Sequence, residues 1–321
     1  MRVLFLGGNG MIGSACAAEV VRQGHELTVL TRSAGSRALP AQVRRITVDV
    51  HDPVALREVL GDQEFDVVVN FVGYKPDEVS ADTETFAGRT GQYVFISTAS
   101  VYARPIALLP ITESTPRRNN GFAYPQDKIA CEEVLERAYR ESDFPATIVR
   151  PAHTYDRTVV PMLGGWTLVE RMRQGKPVVV HGDGTSLWTL MHSSDFARAF
   201  VPLLGNSHTL GDAVHITSDE ILTWDQIHQI MARAAGVTPK LVHRSSEDIG
   251  LVIPDWAAVL AHDFAHTLLF DNTKLRRFVP GFAARVPFDA GARDIVDYYS
   301  ADPSRRRINA ELDAAFDRLS S

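Results

Sequence analysis

Cysteine is nearly missing from this chain. Cys16 and Cys131 are the two among 321 residues, which excludes a disulfide framework and a four-cysteine zinc site. Long apolar runs are missing too, and none approaches the roughly 20 residues that a membrane helix needs. The apolar stretch ahead of the first glycines, Val3-Leu4-Phe5-Leu6, is too short for a secretory signal. Nor is there an excess of basic charge. Lysine and arginine total 33 against 39 acidic residues, a net charge of −6, which argues against a nucleic-acid or anionic-membrane surface. What remains is ordinary: 45% apolar and 22% charged residues, enough for one large domain or two unequal ones. No internal repeat or low-complexity tract stands out. The expectation is a soluble, cytoplasmic protein.

Short apolar runs alternate with helical patterns through residue 150. Residues 3–6 form a continuous apolar run, the mark of a strand buried on both faces of a parallel sheet. Residues 11–23 read as a helix ended by Gly24. Further strands are expected at 27–30, 46–50, 67–72, 93–96 and 147–149. Helices are expected at 53–60, with Pro53 in the first turn, and at 129–140. This alternation predicts an α/β fold with a doubly wound parallel sheet. Beyond Pro151 the rhythm loosens, and helical stretches dominate from Trp224. The expected division is a dinucleotide-binding domain at 1–155, rejoined by about 190–217, and a smaller, mostly helical substrate-binding part at 156–321. Strand-like segments at 178–180 and 214–217 interrupt that part. Trp166, Trp188, Trp224 and Trp256 read as its core, and the charged tail 304–321 as a surface helix.

Gly7-Gly8-Asn9-Gly10-Met11-Ile12-Gly13 sits between the first strand and the first helix. Glycine suits this turn for three reasons: the chain bends sharply, the backbone must approach a pyrophosphate, and the helix must pack on the strand. Gly7, Gly10 and Gly13 carry the pattern, and the N–H groups around Met11 and Ile12 open the helix toward the phosphates. The site is therefore expected to be Rossmann-like. An NAD site usually closes the second strand with an acid; here Thr31-Arg32-Ser33 stands instead. A guanidinium at Arg32 suits a 2′-phosphate, with Ser33 and Arg37 as helpers, so NADP is preferred and NAD remains the alternative. Asp49 and Val50, at the end of the third strand, are placed to meet the adenine; a helix cap before Pro53 is the plainer role for Asp49.

Tyr124-Pro125-Gln126-Asp127-Lys128 opens a later helix, and residues four apart lie on one helical face. A phenol with a pKa near 10 is a poor base at neutral pH, but a neighbouring ammonium favours phenolate. Lys128 would then make Tyr124 a usable proton acceptor, and it could also hold a nicotinamide ribose. A capping tyrosine with a solvated lysine is the plainer alternative. Thr98, at the carboxyl end of a central strand, is placed to orient a substrate oxygen beside Tyr124; capping in a polar loop is the alternative.

With these motifs in place, the chain resembles an extended, atypical short-chain dehydrogenase/reductase of the NAD-dependent epimerase/dehydratase family. The resemblance runs through the glycine turn, Ser97-Thr98-Ala99-Ser100-Val101-Tyr102, Tyr124 to Lys128, and Arg150-Pro151-Ala152-His153-Thr154-Tyr155. Gly182-Asp183-Gly184 and His192-Ser193-Ser194-Asp195 resemble a later family stretch. It implies that Pro151 and His153 lie against the nicotinamide, that Phe71, Val72 and Gly73 line the dinucleotide, and that Thr98, Tyr124 and Lys128 are catalytic. Ser100, Trp188 and His192 are the implied substrate contacts.

The departures narrow the substrate. Trp188 stands where nucleotide-sugar members carry an arginine for the diphosphate, and no second such arginine has a clear counterpart. A sugar diphosphate without guanidinium partners loses much of its binding. Ala99-Ser100 replaces the Asp-Glu of dehydratases, which excludes a 4,6-dehydratase. The segment between the fourth and fifth strands is short, as in an atypical subgroup that includes chloroplast stem-loop RNA-binding proteins.

The eleven histidines offer one close pair, His262-x-x-x-His266, without the glutamate of the protease pattern; no metal site is expected. The favoured expectation is an NAD(P)-dependent oxidoreductase acting at a hydroxyl or ketone of a sugar-like or natural-product small molecule. An NAD-retaining sugar epimerase is the second, and a cofactor-binding regulatory or RNA-binding protein the third. Partners are a small-molecule substrate, with neither membrane nor nucleic acid, and a homodimer is left open.

Overall fold

A computed structural model of the chain describes residues 1–33, 35 and 37–321. Its centre is a parallel seven-stranded sheet. The first six strands are β1 (Arg2–Leu6), β2 (Glu26–Thr31), β3 (Arg44–Thr47), β4 (Phe65–Asn70), β5 (Thr90–Ile96) and β6 (Ala146–Pro151). They lie in the order 3-2-1-4-5-6, and the strand Asp212–Ile216 adds beyond β6. The order reverses between β1 and β4, and a doubly wound sheet opens its ligand crevice at that point.

Residues of β1 alternate between two cores. Val3 and Phe5 join Cys16, Ala17 and Val20 of helix α1 (Met11–Arg22) and Phe196 and Phe200 of the helix Ser193–Phe200. Leu4 and Leu6 join Leu56 and Leu60 of α2 (Pro53–Leu60), Phe86 of α3 (Pro76–Phe86), and Cys131 and Leu135 of α4 (Ala123–Ser142). A strand buried on both faces needs apolar residues at every position, so β1 reads as a continuous run.

Three expectations shift. The third strand spans Arg44–Thr47 and not 46–50. It is the sheet's edge, so exposed arginines serve in it where an interior strand needs apolar residues, and the apolar signal at 46–50 overran into the following turn. The interval between β4 and β5 holds α3, and Glu78 in its first turn reaches back to accept from the backbone of the two residues that precede it, Tyr74 (2.8 Å) and Lys75 (3.0 Å). The charged tail ends in a helix, Ala310–Ser320, that is packed and not merely superficial. Phe316 is fully buried, and the buried Arg171 guanidinium pairs with Asp313 and with Asp317 (2.8 Å).

The remaining half packs a third apolar cluster around Trp166, Trp188, Trp224 and Phe288. Short strand pairs brace it, including Pro177–His181 parallel to Lys240–Arg244. Among the described residues no helix is long and apolar enough to cross a membrane.

Candidate active site

The glycine turn is a cradle with one open side. A Cβ on Gly13 would lie 2.4 Å from the Cα of Gly8, and one on Gly7 would lie 2.6 Å from a methyl of Val72. Gly7 and Gly8 also adopt positive φ, +80° and +101°, which L side chains rarely do. A Cβ on Gly10 would meet nothing within 4 Å. Gly10 also caps α1 without any side-chain hydrogen bond, and the first turn carries no acid. Uncapped N–H groups beside open space, at the positive end of a helix dipole, fit a pyrophosphate. The residues present therefore suit a dinucleotide.

Around this cradle, Thr31 Oγ1 donates to the Ser33 carbonyl (2.8 Å), which also accepts from Asn9 Nδ2 (3.3 Å). Arg32 and Ser33 are exposed at the end of β2. Arg37 does not join them: its guanidinium pairs with Asp156 and donates to Thr158, tying the loop after β2 to the segment after His153–Tyr155. Asp49 is exposed past the end of β3, where it accepts from the backbone of His51 (3.1 Å); Val50 beside it is half-buried. The cap of α2 is Asp52, which accepts from Val54 and Ala55, so Asp49 is not that cap.

The turn after β4 is built by Asn70. Its amide oxygen accepts from the backbone of Val72 (2.7 Å) and Gly73 (2.6 Å), while its nitrogen donates to Asp82 (2.6 Å). Tyr93 donates to the same Asp82 oxygen (2.6 Å). Burial pushes the Asp82 carboxyl up to about 7, against the pull of the Tyr93 and Asn70 hydrogen bonds. Phe71 is half-buried on the same turn, in edge contact with Phe5 at 4.9 Å.

Lys128 sits beneath that turn, 2% exposed. Its ammonium donates to the carbonyls of Gly73 (2.7 Å) and Ile96 (2.8 Å) and lies 4.7 Å from the centre of the Phe95 ring. Burial lowers its pKa to about 8. Tyr124, four residues earlier, is 41% exposed. Burial of its hydroxyl raises the phenol pKa, a hydrogen bond with Thr98 pulls it back, and the charges of Tyr74 and Asp263 raise it further. The lysine, turned toward its two carbonyls, does not figure among those influences. Burial thus holds the phenol above its ordinary range, the opposite direction to the acidification expected of Lys128.

Thr98 and Tyr124 share a cavity of about 320 Å³ with Ser100, Pro151, His153 and Trp188. Residues up to 90 positions apart in the chain, Thr98 and Trp188 the furthest of these, therefore converge on one space. Trp188 Nε1 donates to His153 Nδ1 across 3.0 Å, and burial lowers the imidazole pKa to about 4, so the ring is neutral. Against these two rings packs Phe264, the last residue of a π-helical turn, Leu260–Phe264, a feature frequent at functional sites. That turn brings Asp263 and Phe264 to the cavity. The Phe264 carbonyl accepts from His181 Nε2 (3.0 Å), Trp224 Nε1 (3.2 Å) and Ser186 Oγ (3.3 Å). Asp263 accepts from Ser100 Oγ (2.8 Å) and Arg104 (2.8 Å). Asp263 and Phe264 escaped the sequence reading because their contacts reach across 40 to 163 residues, and no local pattern marks them.

His192 is not in this cavity. It caps the helix Ser193–Phe200, its Nδ1 bonded to Ser194 Oγ (2.7 Å). His262 packs on Gly121, and among the described residues no group of three metal-ligating side chains forms. Arg150, which begins the Arg-Pro segment, is a buried strut. It pairs through two nitrogens with Glu132 of α4 (2.9 and 2.8 Å), and Ser97 donates to the same carboxylate.

A parallel sheet in this order, an open glycine cradle at its switch point, and a tyrosine-bearing cavity beyond its carboxyl edge define a dinucleotide-dependent enzyme class. The profile of the NAD dependent epimerase/dehydratase family matches residues 3–216, and the chain belongs to that family. It is similar to 2′-dehydrokanamycin reductase of Streptomyces kanamyceticus, 26% identical over 89% of this chain and 81% of that protein. It is also similar to the chloroplast stem-loop binding protein of 41 kDa b of Arabidopsis thaliana, 23% identical over 99% and 83%. Among solved structures, the UDP-glucose 4-epimerase of Thermotoga maritima with UDP-glucose shares the fold. Its TM-score is 0.75 at 18% identity, covering 94% of this chain and 99% of that one.

Proposed function

We propose that this protein is an NAD(P)-dependent oxidoreductase acting at a hydroxyl or ketone of a small sugar-like or natural-product molecule. Residues 1–155 with about 190–217 would hold the dinucleotide, and the remainder would hold the substrate. The supporting observation is the half-exposed Tyr124 phenol, which lines a cavity of substrate size together with Thr98. A bound dinucleotide supplies the hydride acceptor or donor. Gly7, Gly10 and Gly13, with the N–H groups of Met11 and Ile12, would hold its pyrophosphate. Thr31, Arg32 and Ser33 would hold the adenosine ribose with its 2′-phosphate, and Asp49 and Val50 the adenine. Phe71, Val72 and Gly73 would line its length, and Pro151 and His153 its nicotinamide end.

In the reducing direction Tyr124, its phenol held above the ordinary range by burial, would give its proton to the carbonyl oxygen while the dinucleotide supplies the hydride, and Thr98 would orient that oxygen. In the oxidising direction the phenolate takes the alcohol proton. An ammonium has three donors. Two of those on Lys128 meet carbonyls, leaving one for a ribose hydroxyl of the cofactor.

Similarity to a reductase over most of the chain favours net redox turnover. Similarity to the epimerase fold keeps a second reading, internal oxidation and re-reduction on retained NAD, and dinucleotide co-purifying without net turnover would favour it. Similarity to a stem-loop binding protein keeps a third, which RNA affinity falling steeply with salt would favour. The deciding experiment follows NADPH oxidation against small ketones. Tyr124→Phe should lower turnover about 10²–10⁴-fold and leave dinucleotide affinity unchanged; retained turnover removes the assignment. In thermal shift NADP should stabilise more than NAD, and Arg32→Ala should erase the difference. Equal or reversed ranking in the native protein ends the role given to Arg32.

A further inference from the structure

We propose that the cavity takes an amine-bearing, hydroxylated ring compound in its cationic form, with Asp263 holding the ammonium, and does not take a nucleoside diphosphate sugar. The inference rests on the oxidoreductase reading for the placement of the substrate, and it names the substrate class for that same cavity.

The first observation is the charge of the lining. Among its described residues there is neither arginine nor lysine, and the acidic side chain there is Asp263. A diphosphate needs guanidinium or ammonium partners, and here it would face a carboxylate. His153 cannot substitute, because burial keeps the ring neutral. Trp188 fills part of the wall, with its N–H already donated to that ring.

The second observation is the geometry of Asp263. Each carboxylate oxygen accepts one bond within the protein, Oδ1 from Arg104 Nη2 and Oδ2 from Ser100 Oγ, both at 2.8 Å. Those bonds fix the plane of the group. A carboxylate has about four acceptor positions, so further ones stay free for a ligand. Arg104 is buried and stands outside the cavity lining. The negative charge is felt inside the cavity: Asp263 raises the pKa of both Tyr124 and His153, and no cationic side chain figures among the influences on either.

The third observation is the aromatic surround. Phe122, Trp188, Phe264 and Phe270 line the same space, and ring faces attract cations, most strongly when water is excluded. With about 320 Å³, the cavity stands at the small end of ligand pockets, roughly 300–1,000 Å³. That suits one or two sugar-sized rings.

The test measures binding, so it is independent of turnover. Glucosamine, N-acetylglucosamine, glucose and UDP-glucose are titrated into the full-length protein saturated with NADP, followed by ligand-observed NMR. Glucosamine should bind more tightly than N-acetylglucosamine or glucose by about tenfold, the scale of one hydrogen bond to a charged group. That preference should vanish in Asp263→Asn and persist in Tyr124→Phe. Equal binding of the amine and its acetamide overturns the proposal, as does tighter binding of UDP-glucose, or no glucosamine binding at millimolar concentration. The glucosamine to N-acetylglucosamine comparison needs no variant, so it decides even if Asp263→Asn fails to fold. Retained turnover in Tyr124→Phe alongside a surviving amine preference would sink the catalytic assignment and leave this one standing.

Discussion

The indole N–H of Trp188 donates to Nδ1 of His153 across 3.0 Å, and that bond decides which ring nitrogen carries the proton. Tryptophan is a donor only, so Nδ1 accepts and the hydrogen sits on Nε2. Trp188→Phe keeps most of the aromatic bulk and deletes the donor. A buried acceptor left without a partner costs about 1–3 kcal/mol, to be seen as an equal loss in urea-derived stability. Nitrogen-15 spectra should show one tautomer in the native protein and a mixture in the variant.

His153 should also stay uncharged well below the ordinary histidine range. Its folded pKa is about 4 against a usual 6.5, so between those values the unfolded chain binds more protons and stability falls with acid. Imidazole carbon shifts followed from pH 3 to 7 should give a midpoint near 4. A midpoint above 6 would mean that the ring is solvated.

Thr98 pulls the Tyr124 phenol pKa down. Thr98→Ala removes that hydroxyl, so the phenol becomes a weaker acid. The pH profile of alcohol oxidation should move to higher pH while dinucleotide affinity holds. A profile that stays in place would show that Thr98 does not touch the reacting phenol.

Gly10→Ala separates a ligand cradle from a merely tight turn. Its Cβ meets no protein atom within 4 Å, so melting should stay close to that of the native chain. Dinucleotide affinity should fall at least about tenfold, because the methyl enters the space left for phosphate. Gly13→Ala, with a Cβ 2.4 Å from Gly8, should instead lose both stability and binding.

Asp82 gives a pH signature of the opposite sign. Its carboxyl is pushed up to about 7 from 3.8, so between those values the folded protein holds the extra proton and stability falls as pH rises. Asp82→Asn should flatten that decline in urea midpoints measured from pH 4.5 to 7.5. An unchanged slope would assign it elsewhere.

The layered sheet was legible because β1, β4 and β5 are buried on both faces and spell their burial out as continuous apolar runs. β3 was misjudged because an edge strand tolerates Arg44 and Arg45, and its period carries little signal. The turn through Gly7, Gly10 and Gly13 and the helix that carries Tyr124 and Lys128 were legible because each is local, one turn or one helical repeat; the direction in which Lys128 points was not. Nor was Asp263. It reaches Ser100 and Arg104 from a part of the chain that no local pattern ties to them, and the π-helical turn that aims it leaves no periodic trace. Asn70 and Asp82 were hidden for a related reason: a polar residue closing an apolar strand and a carboxylate on an otherwise polar helix carry no mark until their partners are known. Arg37 was read as a phosphate ligand from its position alone, and Asp156, 119 residues away, claims it.

One oxygen, the Phe264 carbonyl, is held by an imidazole, an indole and a hydroxyl at once. Such a wall behaves as a fixed jamb and not as a swinging door. Guests must then be sorted at the threshold by shape and charge, because closure around a poor fit is denied to them. Evolution toward a new guest would accordingly have to recarve the frame itself, at His181, Ser186 or Trp224, before altering anything the guest touches.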